Sequence, residues 1–217
     1  MLVEIMKYII SILIAFFALP LFAQQQKEAR TVLDKTAATF EKAGGVKADF
    51  RIKVFSKGRQ IVDSGGAIQL KGEKFLLKTP DVTTWFDGKT QWSYLDGSDE
   101  VNVSTPTAAE LQSMNPYALL YLYQKGFSYR LGSTKVWLGK SVYEVILTAT
   151  NKQQELAHIK LYIAKDSYQP MRIDAEMRDK TRSEITITSY QAGLNYTDNL
   201  FVFNKKQYPN AEIIDLR

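Results

Sequence analysis

Covalent or metal chemistry needs reactive side chains at usable spacing, and this sequence of 217 residues offers few. It has no cysteine, which removes thiol catalysis, thiolate metal sites and disulfides. His158 is the single histidine, set between apolar neighbours in Ala157-His158-Ile159-Lys160, and reads as a strand residue with a structural role. Any Ser–His arrangement would have to use it, and no G-x-S-x-G elbow is present. The carboxylate pairs Asp96/Asp99 and Asp179/Glu184 fall in turn sequences, where solvated loop positions are the plain reading. Gly65-Gly66 lies inside a strand pattern and does not open a helix, so it is not a phosphate loop. The expectation is a protein that is not an enzyme and needs neither cofactor nor metal.

What the sequence concentrates instead is adhesive surface. WFDGKTQWSYLDG, from Trp85 to Gly97, sets two Trp, a Phe and a Tyr around Asp-Gly turns. Asp87-Gly88 between apolar runs is a strong hairpin signal. With a loop of two or four residues, Trp85, Trp92 and Tyr94 share one sheet face. Aromatic side chains bury about 150–250 Å² each, so such a face needs a cover.

The elements that would supply sheet and cover follow from periodicity. Val32, Leu33, Thr36, Ala37 and Phe40 recur at helical spacing from Gln24 to Ala43, and Gly44-Gly45 stops the helix. Then the period drops to two: Val46, Ala48, Phe50, Ile52 and Val54 alternate with Lys47, Asp49, Arg51 and Lys53. Strands are expected at Gln60–Leu70, Phe75–Lys78, Val82–Phe86, Thr90–Leu95, Glu100–Val103, Phe127–Leu131, Lys135–Leu138, Ser141–Thr150, Glu155–Ala164, Pro170–Arg178, Glu184–Tyr190 and Leu200–Phe203. Roughly twelve strands make one large antiparallel sheet, curved or rolled. A helical pair interrupts it between Thr105 and Gly126: Thr107-Ala-Ala-Glu110 is a capping box, and Asn115-Pro116 starts a second helix bearing Leu119, Leu122 and Tyr123 on one face. A mainly β (α+β) fold with an apolar sheet face and a helical cover would enclose a hydrophobic cavity.

The N-terminus points to export. Lys7 precedes the apolar run Tyr8–Phe22, which is shorter than the roughly twenty residues of a spanning helix, and Ala23 ends a small-residue cleavage site. Residues 1–23 read as a signal peptide, with an uncleaved N-terminal anchor as the alternative, and 24–217 as one domain. The formal net charge is +5. On an exported chain this argues against nucleic acid and fits approach to an anionic membrane surface.

Asp87-Gly88-Lys89, Trp92-x-Tyr94 and Val101 resemble the hairpin of the LolA-type periplasmic carriers of outer-membrane lipoproteins. Pro106–Lys125 resembles that family's helical lid, Val46-x-Ala48-x-Phe50 its first strand, and Asn199–Pro209, with Phe201-x-Phe203, its final strand and tail. Asn115-Pro116-Tyr117-Ala118-Leu119 is similar to the Bacteroidetes branch. The resemblance implies a half-open antiparallel β-barrel of about eleven or twelve strands with a helical lid over an apolar cavity. It implies a monomeric periplasmic chaperone that takes acylated lipoproteins from an inner-membrane ABC transporter of the LolCDE type to an outer-membrane acceptor. A soluble periplasmic lipid or lipoprotein sensor on the same fold is the alternative, and a module whose aromatics are only core is a third. The expected lipid-binding set is Phe50, Ile52, Phe75, Leu77, Trp85, Trp92 and Tyr94 on the sheet, with Leu111, Leu119, Leu122 and Tyr123 packing on them from the lid. In proteobacterial members an Arg beyond the strand matching Gln60–Leu70 helps hold the lid shut; here the segment reads Lys71-Gly72-Glu73, with Lys71 and Lys74 as the candidate replacements.

Overall fold

A computed structural model describes residues 24–107, 110–111, 121–124 and 126–217. The signal segment, the Asn115-Pro116 helix start and Leu119 lie outside them.

The helix α1 covers 24–42, and its buried side is Ala29, Val32, Leu33, Thr36 and Ala37, as the spacing predicts. Gly44, at φ +67°, supplies the left-handed turn into the first strand. Thirteen strands then form one sheet. They are β1 Gly45–Ser56, β2 Arg59–Lys71, β3 Lys74–Lys78, β4 Val82–Phe86, β5 Gln91–Leu95, β6 Glu100–Ser104, β7 Phe127–Leu131, β8 Lys135–Trp137, β9 Lys140–Ala149, β10 Leu156–Ala164, β11 Pro170–Met177, β12 Arg182–Leu194 and β13 Glu212–Asp215. Their order across the sheet is β13-β6-β5-β4-β3-β2-β1-β12-β11-β10-β9-β7, with β8 following β7 along the edge of β9. The sheet is open: β13 and β7 are its two ends. The pairs are antiparallel meander neighbours, apart from β1 joining β12, β7 joining β9 past β8, and the parallel pair of β13 with β6.

The Asp87 hairpin uses the longer of the two loops. Phe86 pairs with Gln91, and the Asp87 carboxylate accepts the N–H groups of Lys89 and Thr90, both at 2.8 Å. That Asx-type closure, with Gly88 at φ +101°, fixes the register that sets Trp85 opposite Trp92.

Side-chain alternation splits the sheet into two apolar faces. Along β3, Phe75 and Leu77 join the large cluster containing α1, whereas Leu76 joins a second cluster with Trp85. Along β4 the same parity sends Phe86 to the helix face and Trp85 to the other. The second face is covered by the chain's last segment. Phe201 is fully buried there, Phe203 and Tyr208 meet Trp85 edge-on at 5.5 and 5.6 Å, and Tyr208 lies 4.7 Å from Tyr94. Leu200–Phe203, expected as a strand, is instead largely a 3-10 turn, Asp198–Phe201. The turn forms because Asp198 is gripped by Lys71 at 2.9 Å and Lys74 at 2.7 Å, while Leu200 N–H closes onto Thr197 C=O at 3.1 Å. The strand that does end the fold, β13, is one that the sequence pattern does not announce.

The tail clasp generates a pH prediction. Hydrogen bonds from Lys74 and then Lys71 lower the Asp198 pKa from 3.8 to about 2. A lowered carboxylate pKa contributes stability above its unfolded value, and that contribution is lost as pH falls towards about 2. Tail docking, followed by proteolysis at the C-terminus, is expected to weaken between pH 4 and 2, and Asp198→Asn to be loose at neutral pH already. Equal protection of Asp198→Asn at pH 7 would show that the clasp holds nothing. Trp85→Ala, which empties the centre of the tail face, is expected to cost about 3–5 kcal/mol in urea unfolding.

Candidate lipid-binding site

The helix face is built from alternate residues of neighbouring strands. Val46, Ala48, Phe50 and Ile52 of β1, Ile68 and Leu70 of β2, Phe75 and Leu77 of β3, and Phe86 of β4 form one continuous apolar surface. It continues on the other side of β1 through Ile187, Ile173, Ile159, Leu161, Val145 and Leu147. Gly66 explains how Phe50 lies flat: a Cβ there would stand 2.6 Å from Phe50 Cζ and 2.7 Å from the Lys78 carbonyl. The glycine pair inside β2 is thus a close-approach site for the ring.

The cover consists of α1 and the described parts of the insert. The capping box forms as expected, with Glu110 accepting Thr107 N–H at 2.7 Å and Thr107 Oγ1 accepting Glu110 N–H at 3.3 Å. Leu111 packs against the large cluster, and at the far end of the insert Leu122 and Tyr123 are buried in it. Tyr123 Oη donates to Asp34 on α1 at 2.7 Å, and Tyr121 lies near Glu41. Burial, then the Glu41 charge, pushes the Tyr121 pKa up to about 12. Burial likewise raises Tyr190, and these phenols stay neutral at physiological pH.

Of the residues expected to bind lipid, the structure brings together Phe50, Ile52, Phe75, Leu77, Leu111, Leu122 and Tyr123. Leu119 is outside the described residues. Trp85, Trp92 and Tyr94 do share one face, but it is the tail face, so the lid contact expected for them is replaced by Phe203 and Tyr208. Sequence reasoning passes over Phe86, next to Trp85, and the α1 residues Ala29, Val32 and Leu33; the parity of β3, which sets Phe75 with Phe86, is the available signal. Lys71 and Lys74, the candidate replacements for a lid-holding Arg, are spent on Asp198 in the tail.

Polar chemistry is confined to the opposite side. A groove of about 260 Å³ there is lined by Arg51, Lys53, Trp137, Arg172, Glu184, Thr186 and Thr188. Arg172 spans Asp174 at 2.6 Å and Glu184 at 3.1 Å, and Arg51 binds Asp63 at 2.6 Å, so these charges are matched within the sheet. His158 is exposed, with Nδ1 3.3 Å from Thr148 Oγ1. Among the described residues no group of three or more His, Asp or Glu is placed to hold a metal, and no described helix is long and apolar enough to cross a membrane.

The fold recurs in solved structures. An uncharacterized conserved protein from Thermus thermophilus shares the fold with TM-score 0.60 at 12% identity, over 87% of this chain and 99% of that one. A DUF1329 family protein from Desulfovibrio piger gives 0.50 at 10% identity, over 82% and 97%. A LolA superfamily protein from Nitrosomonas europaea gives 0.44 at 9%, over 81% and 97%. No curated protein matches the sequence. The family model described as the outer membrane lipoprotein carrier protein LolA matches residues 19–181. That match spans most of the sequence, and the chain belongs to the LolA family of outer membrane lipoprotein carriers.

Proposed function

We propose that this chain is a periplasmic carrier that shields the acyl chains of lipoproteins and moves them from the inner to the outer membrane. The observation that carries the reading is the single apolar cluster in which Phe50, Ile52, Phe75 and Leu77 of the sheet meet Leu111, Leu122 and Tyr123 of the insert. Exposing the two or three acyl chains of a lipoprotein to water costs on the order of 30 kcal/mol, at about 0.8 kcal/mol per methylene. A soluble intermediate therefore needs a protein surface of this kind.

Transfer needs a surface that also lets go. The sheet side of the cluster is framed by backbone ladders. The cover is tied to α1 through the side-chain bond of Tyr123 with Asp34. Cargo displaces Leu111, Leu122 and Tyr123 from the sheet, and the same residues close again after release. Adaptable aliphatic and aromatic packing gives affinity without one tight fit. In this reading residues 1–23 are removed after Ala23, the donor is an inner-membrane ABC transporter, and an outer-membrane acceptor receives the cargo from a monomeric carrier. Trp85, Trp92 and Tyr94 hold the tail in place and take no part in lipid contact.

The test is release of newly made lipoproteins from spheroplasts by the purified protein. A soluble one-to-one lipoprotein complex is the expected product. Bound acyl lipid by native mass spectrometry without release would replace the carrier reading with that of a sensor. Leu77→Asp, a charge on the helix face, is expected to cut retained lipid tenfold or more with the sheet intact by circular dichroism. Unchanged retention in that variant would remove this face from the cargo site.

A further inference from the structure

The β8–β9 hairpin breaks several local rules at once. Trp137 pairs with Lys140, leaving a two-residue turn, Leu138-Gly139, with φ of +48° and +76°. Both positions are left-handed, the geometry that Asn-Gly fills without strain, yet the first holds a leucine. That leucine is 69% exposed and Val136 is 70% exposed. The Trp137 indole N–H is buried without a hydrogen-bond partner. Violations of local preference that cluster on one short element mark a surface kept for a purpose other than folding.

The hairpin is nonetheless held firmly. Trp137 lies over the Arg172 guanidinium at 4.6 Å and stacks on Tyr162 at 6.1 Å. Lys135 bridges to Glu144 at 2.6 Å, and Tyr162 Oη donates to the same carboxylate at 3.2 Å. This lattice fixes the base while Val136 and Leu138 project into water. Two cations flank the hairpin, Lys140 beside the turn and Lys165 at the loop before β8. Lys140 faces Asp166 at 3.9 Å, Lys165 reaches Thr134 at 3.2 Å and sits over Tyr143, and Tyr143 stacks on Tyr168, which Lys35 contacts at 3.2 Å. Asp166 beside Lys140 is exposed, Glu144 beside Lys135 is 6% exposed and turned into the sheet, and Asp34 precedes Lys35 on α1.

We infer that the β8–β9 tip is a membrane-contact element, which inserts Leu138 and Val136 among the acyl chains of an anionic bilayer while Lys140 and Lys165 meet its headgroups. Exposed aliphatics flanked by lysines and tyrosines are the composition that settles at a lipid–water interface. Val136 and Leu138 are exposed and take no part in the helix-face cluster, and the tip serves approach to a membrane whether or not the apolar face carries lipoprotein.

The test is cosedimentation of the purified protein with vesicles of equal parts phosphatidylglycerol and phosphatidylcholine, beside vesicles of phosphatidylcholine alone. Binding to the anionic vesicles that falls as salt rises is expected. The double variant Val136→Thr, Leu138→Asn suits strand and turn better, so it should melt at the same temperature or higher while losing tenfold or more in vesicle binding. Lys140→Gln with Lys165→Gln should erase the preference for anionic vesicles. Leu77→Asp, which disables the proposed cargo face, should bind vesicles as the unaltered protein does, which separates this inference from the carrier reading. Absence of vesicle binding, or binding by the tip variant equal to that of the unaltered protein, overturns the proposal.

Discussion

An open sheet with apolar side chains on both faces must be covered twice. This constraint organises the molecule. In β3, Phe75, Leu76 and Leu77 are consecutive, and in β4, Trp85 and Phe86 are, so no choice of orientation turns one side of these strands to water. An antiparallel sheet with one solvated face would alternate apolar and polar residues, as β1 does. Around β3 and β4 the chain therefore supplies two separate covers. One is α1 with the insert, the other the segment from Tyr196 to Ala211. Removing either would leave an apolar area of the kind that aggregates or seeks a partner.

The two covers differ in how they are fastened, and the difference bears on function. The tail is clasped by Lys71 and Lys74 on Asp198, interlocked through Phe201, Phe203 and Tyr208, and finished by β13, which adds backbone bonds to β6. Aromatic contacts at 4.7 to 5.6 Å leave this side tightly filled. The far end of the insert, among the described residues, is instead joined to α1 by the side-chain hydrogen bond of Tyr123 with Asp34. A face closed by a ladder is static, whereas a face closed by side chains can exchange one apolar partner for another at small net cost. If one side of the sheet carries cargo, this difference in fastening favours the helix side.

Most of the framework is legible because it is written in local signals. The period of two from Val46 to Val54, the capping box at Thr107 and Glu110, the helical spacing of Val32, Leu33, Thr36 and Ala37, and the Asp87-Gly88 turn each recur in the fold where the residues imply them. What is not legible is the assignment of faces. The shared face of Trp85, Trp92 and Tyr94 follows from their spacing, but which cover lies over that face depends on a segment more than a hundred residues away in sequence. A continuous apolar run carries no mark of which side is which. The 3-10 turn at Asp198–Phe201 is hidden for the same reason: Phe201-x-Phe203 has strand spacing, and only the distant lysines of β2 and β3 fold it differently. The four-residue β13 escapes notice because it is short and mostly exposed, with a parallel partner far back in the sequence.

The β8–β9 tip follows from how the sheet ends. An unclosed sheet leaves the β9 side with a free edge, along which β7 and β8 are laid in succession. Edge strands invite unwanted pairing and are usually kept short and charged. β8 is three residues long and bears Lys135, with Lys140 beside it on β9, which satisfies that need, and the strained turn ends it at once. None of this requires Val136 or Leu138 to be apolar. A polar pair would blunt the edge equally well and relieve the turn, so the two aliphatic side chains need a reason beyond edge protection. The membrane contact inferred above supplies one, and the lysines that blunt the edge then serve that contact as well.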